Sequence, residues 1–348
     1  MRIRTLSSCF LQLVFLAFPA TAFSTQDVSP GPKKEEKQIN AESASGLSKP
    51  VENWKALDDI QTGLDPHPTA LVSTDEQPEF VRELVRVQWR VGDPVDLWII
   101  RPRASEKVPV VLYLYSYPSD PDQFRDDRWC KRATTGGFAA VGFVSAMTGP
   151  RYRMRPMKEW FVSQLPESLG STVHDIQLIL NYLASRADLD SEHVGMFGIG
   201  SGATIAILAA HTDARIKTLD LLDPWGAWPD WLRESPAVPD EERAMDTTEE
   251  FLKSVAPFDP VAYLPSLKTG SVRLQQTLTD PVTPKSARDR IAASLRDPSD
   301  LVRYANPEEH LKAWQTSGLS GWLKQQLNAQ RQGENRNNHH AAANPSSR

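Results

Sequence analysis

His193-Val194-Gly195-Met196-Phe197-Gly198-Ile199-Gly200-Ser201-Gly202-Ala203 decides the fold. His193–Phe197 predicts a short strand, Gly198–Gly202 a tight turn, and Ala203–Ala210 a helix whose small side chains suit close packing on a sheet. In a G-x-S-x-G elbow, a sharp strand-to-helix turn lifts a serine hydroxyl above the sheet, and small residues on either side prevent clashes. Aligning the strand and both flanking glycines puts Gly200 at the nucleophile position and Ser201 one residue later, where a backbone N–H would serve an oxyanion. The outline of the motif is present without its hydroxyl.

Outward from the turn, strand and helix patterns alternate. Upstream, Val81–Val87 and Val95–Ile100 cluster β-formers. Val108–Tyr115 is a continuous apolar run of the kind buried on both faces of a parallel sheet, so it predicts a central strand. After a loop at Pro118–Pro121, Asp126–Thr134 predicts a helix. Gly136-Gly137 stops it before the apolar run Phe138–Ala146. From Ser168 onward, Leu169, Val173, Ile176, Leu180 and Leu183 recur at spacings of four and three, which aligns them on one helical face. Downstream, Ile216–Leu222, Val272–Thr277, Ser286–Leu295, Leu301–Tyr304 and Leu319–Leu327 continue the alternation. That order argues for an α/β fold with a mostly parallel sheet flanked by helices. Pro224–Phe258 interrupts it. With Trp225, Trp228 and Trp231 among prolines and acidic residues, this stretch predicts a small cap inserted at about 224–258, over the strand ends where α/β sheets bind ligands.

The termini differ in composition. Met1–Arg4 carries two arginines, Leu11–Phe18 is apolar, and Ala20-Thr21-Ala22 has an A-x-A form, the order of a cleaved secretory signal over residues 1–22. The expectation is a secreted or periplasmic chain; an uncleaved anchor is the rival. No later stretch approaches the ~18 apolar residues of a membrane helix. Residues 23–50 read as a disordered linker and 328–348 as a disordered tail, since neither carries apolar side chains enough to offset ordering entropy. That leaves one domain over 51–327. Loss of Arg2 and Arg4 would take the formal charge from −5 to −7 and leaves no basic footprint for nucleic acid. Cys9 falls inside the signal, so Cys130 would have no intramolecular disulfide partner and reads as a small buried hydrophobe. No H-E-x-x-H, paired C-x-x-C or phosphate loop occurs, so neither metal nor cofactor is inferred.

The strand, elbow and helix of residues 193–203 resemble those of α/β-hydrolases, nearest the dienelactone-hydrolase, acetyl-xylan-esterase and prolyl-oligopeptidase-like groups. Phe258-Asp259-Pro260-Val261-Ala262-Tyr263-Leu264 and Thr279-Asp280-Pro281-Val282-Thr283-Pro284 are similar to the approach to the acid strand and the acid-bearing loop of that family. The resemblance implies an acid at Asp280. Given the order nucleophile, acid, histidine, it also implies a base at His310. Tyr115-Ser116 stands where many relatives have His-Gly, next to the second oxyanion donor. The likeness spans roughly residues 80–327.

Two function classes follow. In one, the chain is a serine ester or peptide hydrolase with a shifted elbow: Ser201 attacks, His310 moves the proton, and Asp280 orients the imidazole. In the other, Gly200 has removed the nucleophile and the cleft binds a small ester-like or peptide-like ligand. Each residue also has a plainer role. Ser201 can simply cap a helix, and Asp280 can form a turn before Pro281. His310 can be a surface histidine, the three tryptophans can pack the cap, and Arg151, Arg153, Arg155 and Lys158 can form a solvated loop.

Overall fold

Every residue of Val108–Leu114 is buried, which is possible only for a strand covered on both faces. In a computed structural model of the chain, residues 64–90, 93–103, 107–117, 122–145, 164–318 and 320–343 are described. The chain divides into two units, 1–51 and 52–348, and the described residues all belong to the second. The expected signal and linker, the loop Pro118–Pro121 and the basic loop Arg151–Lys158 lie outside the described residues.

Nine strands form one sheet: β1 (Ala70–Glu76), β2 (Phe80–Arg90), β3 (Asp93–Pro102), β4 (Val108–Leu114), β5 (Ala139–Phe143), β6 (Leu189–Ile199), β7 (Ile216–Leu222), β8 (Ser271–Thr277) and β9 (Leu301–Tyr304). Their order is β1-β2-β3-β5-β4-β6-β7-β8-β9. The first four in that order pair antiparallel, and from β5 to β9 all pairs are parallel. The run read as a central strand is β4, held between β5 and β6. β1 has no counterpart in the sequence reading. Its side chains are nearly all exposed, so no apolar alternation marks it, and it is held by its ladder to β2.

Helices cover both faces. α1 (Asp127–Thr134) begins where the Asp126 carboxylate accepts the Trp129 N–H at 2.8 Å, an N-cap that fixes the start of the helix. α2 (Leu165–Ala184) contains the expected apolar stripe, but burial extends nearly around it, because it meets β2, β6, α3 (Ser201–Thr212) and α6 (Glu249–Val255). Alternation along the strands separates two cores. Val194, Met196, Leu219, Leu221 and Leu274 face α2 and α3. Val111, Tyr113 and Phe197 face α1 and α10 (Gly321–Ala343), packing with Phe124, Leu323 and Leu327. α10 runs on past residue 327. There Gln330 reaches the Lys217 carbonyl and Arg331 pairs with Asp190, polar contacts that an apolar-pattern reading does not register. The segment 224–258 carries α4 (Trp228–Glu234), α5 (Asp240–Asp246) and α6. It is followed by α7 (Pro260–Tyr263), α8 (Lys285–Ala293) and α9 (Pro307–Ser317).

Candidate functional site

The site is built at the junction of β6 and α3. Gly200 has φ 54° and ψ −120°, a backbone region that glycine enters without the penalty an L side chain carries. Its N–H donates to the Leu222 carbonyl at 2.9 Å and its carbonyl accepts from Ala203 and Thr204, so the turn is locked to β7 and α3. The flanking glycines are required by contact. A Cβ on Gly198 would lie 2.5 Å from Ala203 Cα, and one on Gly202 would lie 2.5 Å from the Leu114 carbonyl oxygen. This is a sharp strand-to-helix elbow with Gly200 at its apex.

What fills the space above Gly200 is the side chain of Ser116. An ideal Cβ on Gly200 would overlap Ser116 Oγ, lie 2.8 Å from Ser116 Cβ, and come 3.1 Å from Trp225 Nε1. Ser116 follows β4 and is half-buried. Tyr115 turns to the other side of the sheet and packs against the α1 and α10 core, where burial pushes its phenol well up. Ser201 is 1% exposed, and its hydroxyl accepts the Tyr117 N–H at 3.0 Å. That hydroxyl ties the loop after β4 to the start of α3.

Asp280 accepts the N–H groups of Val282 (3.2 Å) and Thr283 (2.8 Å), closing its own turn before α8. His310, in the first turns of α9, sits edge-on to Tyr304 with ring centroids 5.0 Å apart. It lines a cavity with Phe197, Asp220 and Arg273, on the α1 and α10 side of the sheet. Burial lowers its basicity, the Asp220 carboxylate partly restores it, and Arg273 opposes that. Among the described residues no hydrogen bond or ion pair joins His310 to Asp280 or to Ser201. The structure therefore brings together Gly200, Ser116, Ser201 and Trp225, and sets His310 beside Asp220.

The tryptophans of the 224–258 segment are core residues. Trp228 and Trp231 are fully buried and Trp225 nearly so. The Trp228 indole N–H donates to the Phe258 carbonyl, and Trp231 meets both of its neighbours ring to ring. Asp259 pins the start of α4 by accepting the Ala227 and Trp228 N–H groups. Trp225 also approaches the elbow.

One residue escaped the sequence reading. Asp223, just past β7, has φ 46°. Its carboxylate accepts the Thr277 N–H at 2.6 Å. Burial and the neighbouring Asp280 carboxylate push it up to about 6. The available signal was an Asp-Pro pair after a strand, the same signal that marked Asp280. Among the described residues no group of three His, Cys, Asp or Glu is placed to hold a metal, and no helix is long and apolar enough to cross a membrane.

Comparison with known proteins agrees on the architecture. Acetyl xylan esterase 1 from Thermoanaerobacterium sp. superposes with a TM-score of 0.62 at 15% identity, over 79% of this chain and 92% of that one. An acetyl xylan esterase from Paenibacillus sp. gives 0.58 at 19%, over 77% and 92%. A cold-adapted esterase from an Arctic intertidal metagenomic library gives 0.52 at 13%, over 74% and 99%. At these identities the likeness is one of fold, and it is the α/β-hydrolase fold that the elbow predicted. No curated protein matches the sequence. The profile of the X-Pro dipeptidyl-peptidase (S15) family, in contrast, matches residues 92–332, from the start of β3 into α10, and on that match the chain belongs to this family.

Proposed function

We propose that this chain is a non-catalytic member of its hydrolase family, exported from the cell, that uses the cleft above the elbow to bind a small ester-like or peptide-like ligand. One observation carries the reading: the apex of the elbow is a glycine whose missing side-chain volume is filled by Ser116. Loss of the nucleophile from a serine hydrolase lowers turnover by about 10⁶, which is roughly 8 kcal/mol of transition-state stabilisation at ~1.36 kcal/mol per decade. The other hydroxyls do not replace it. Ser201 is enclosed and bonded to Tyr117, and among the described residues no hydrogen bond joins Ser116 to an imidazole. Export rests on the Met1–Ala22 pattern, and the N-terminal sequence of the protein recovered outside the cell tests it: a chain that still begins at Met1 would overturn that part.

The catalytic part is tested with a serine-reactive fluorophosphonate, read by peptide mass mapping. Gly200→Ser alone is a poor restoration, because the new Cβ meets Ser116. Gly200→Ser with Ser116→Gly clears the space. The expected outcome is no labelling of the natural protein and capture at residue 200 in the double variant. Labelling of the natural protein at Ser201, abolished by Ser201→Ala, would mean a working hydrolase with a shifted elbow. Labelling at Ser116 would equally overturn the non-catalytic reading, since Ser116 would then be the nucleophile.

A further inference from the structure

On the α1 and α10 side of the sheet, level with the middle of β6 to β9, a cavity of about 160 Å³ is lined by Phe197, Asp220, Arg273, Tyr304, His310, Trp314 and Ser320, among others. Its polar wall is pre-assembled. Arg273 grips the Asp220 carboxylate with Nε at 2.9 Å and Nη2 at 2.6 Å, Gln275 Nε2 donates to the same carboxylate at 2.7 Å, and the Tyr304 hydroxyl donates to Gln275 Oε1 at 2.8 Å. Each acceptor in this chain is engaged, whereas donors are left over. Arg273 Nη1 makes no hydrogen bond among the described residues, and neither does His310, whose neutral imidazole offers one N–H donor. Ser320 Oγ is buried, on a residue only 2% exposed, and has no partner. The Tyr113 hydroxyl faces Ser320 closely enough for a weak contact, but the pair misses full hydrogen-bond geometry and neither hydroxyl has another partner. A buried hydroxyl left unbonded is destabilising by roughly 1–3 kcal/mol, which a ligand oxygen would relieve.

Surplus donors around a neutralised Asp–Arg pair select an acceptor that brings its own negative charge. Phe197, Ala313 and Trp314 give the wall an apolar and aromatic part, and the Ser317 hydroxyl beside them is engaged by the Ala313 carbonyl. A cavity of about 150 Å³ accommodates a benzene ring, so this one has room for one compact apolar body. We propose that this cavity is a second binding site, separate from the elbow cleft, for a small monocarboxylate of about the size of benzoate. Arg273, His310 and Ser320 meet the carboxylate, and Phe197 and Trp314 enclose the body. The Arg273 side chain retains 20% exposure, which leaves a route from solvent.

Sodium benzoate is the probe, titrated into the full chain by calorimetry and followed by Trp fluorescence. Saturable binding is expected, with benzamide, the uncharged isostere, binding at least about ten-fold more weakly, as a charged hydrogen-bond partner implies. Ser320→Gly removes the buried hydroxyl at a residue whose φ of 52° already suits glycine, and should weaken benzoate several-fold without unfolding the protein. Ala313→Phe, on partly exposed α9, should fill the cavity and abolish binding. The pair Gly200→Ser with Ser116→Gly should leave it unchanged. Absence of saturable binding, equal affinity for benzamide, or benzoate binding that survives both Ser320→Gly and Ala313→Phe would overturn the proposal.

Discussion

At the scale of single residues, the outcome turns on which side chains occupy the end of β6 and β7. Gly200 was legible from the sequence because spacing alone fixes the apex of an elbow. The entry of Ser116 into its vacated space was not, since Ser116 lies in the loop after a different strand and nothing local marks its direction. Asp223 gives a prediction that belongs here. Its folded pKa of about 6 exceeds the ordinary value of about 3.9, so the folded state holds this proton more tightly. Its contribution to stability is therefore greatest below about pH 4 and is lost as pH rises through 6. A two-unit shift corresponds to at most about 3 kcal/mol. Asp223→Asn keeps an oxygen for the Thr277 N–H and tolerates the left-handed backbone. Melting curves should show the variant more stable by a few degrees near pH 8 and matching the natural protein near pH 4. A variant less stable at pH 8 would mean that the charged carboxylate is worth more than its burial penalty.

At the scale of elements, β4 and β5 were readable because burial on both faces writes them as unbroken apolar runs, and the other parallel strands from shorter clusters of β-formers. Ile216–Leu222 and Leu301–Tyr304 coincide with β7 and β9. Exposed β1, the small helices of the 224–258 segment and the far half of α10 lack that signature, and their placement depends on partners distant in sequence. The histidine of α9 shows the same limit: chain order indicated a base, while the packing of α9 on β9 turns the ring toward Asp220. One such long-range tie is Lys324. From α10 its ammonium donates to the carbonyls of Ala133 (2.7 Å) and Thr135 (3.0 Å) at the end of α1, which lack intrahelical donors. Lys324→Met preserves the buried stem beside Phe138 and strands those acceptors. The expected loss is on the order of 1–3 kcal/mol, read as a lower urea midpoint with unchanged slope. An unchanged midpoint would show that the α1 terminus is satisfied without α10.

For the whole molecule, the two cores on either side of the sheet make the α1 and α10 side separable in principle from the side holding α2 and α3, and Cys130 reports on it. The residue is fully buried within that core, its thiol donates to the Phe124 carbonyl at 3.3 Å, and burial pushes it up to about 11. A thiol reagent attacks the thiolate, and a rise of about two units leaves roughly a hundredfold less of it at neutral pH. Access and ionisation therefore both require this side of the sheet to open. In native buffer, modification of Cys130 by a chromogenic disulfide should be slow, and at high reagent its rate should level off at the opening rate, independent of reagent concentration. Because Lys324 ties α10 to the end of α1, the Lys324→Met variant should raise that rate while leaving the elbow side intact. Mass mapping after partial reaction assigns the modified thiol to Cys130. Stoichiometric modification within the mixing time would show instead that the α1 and α10 layer opens freely, and a rate unaffected by Lys324→Met would mean that opening proceeds on the α1 side without release of α10.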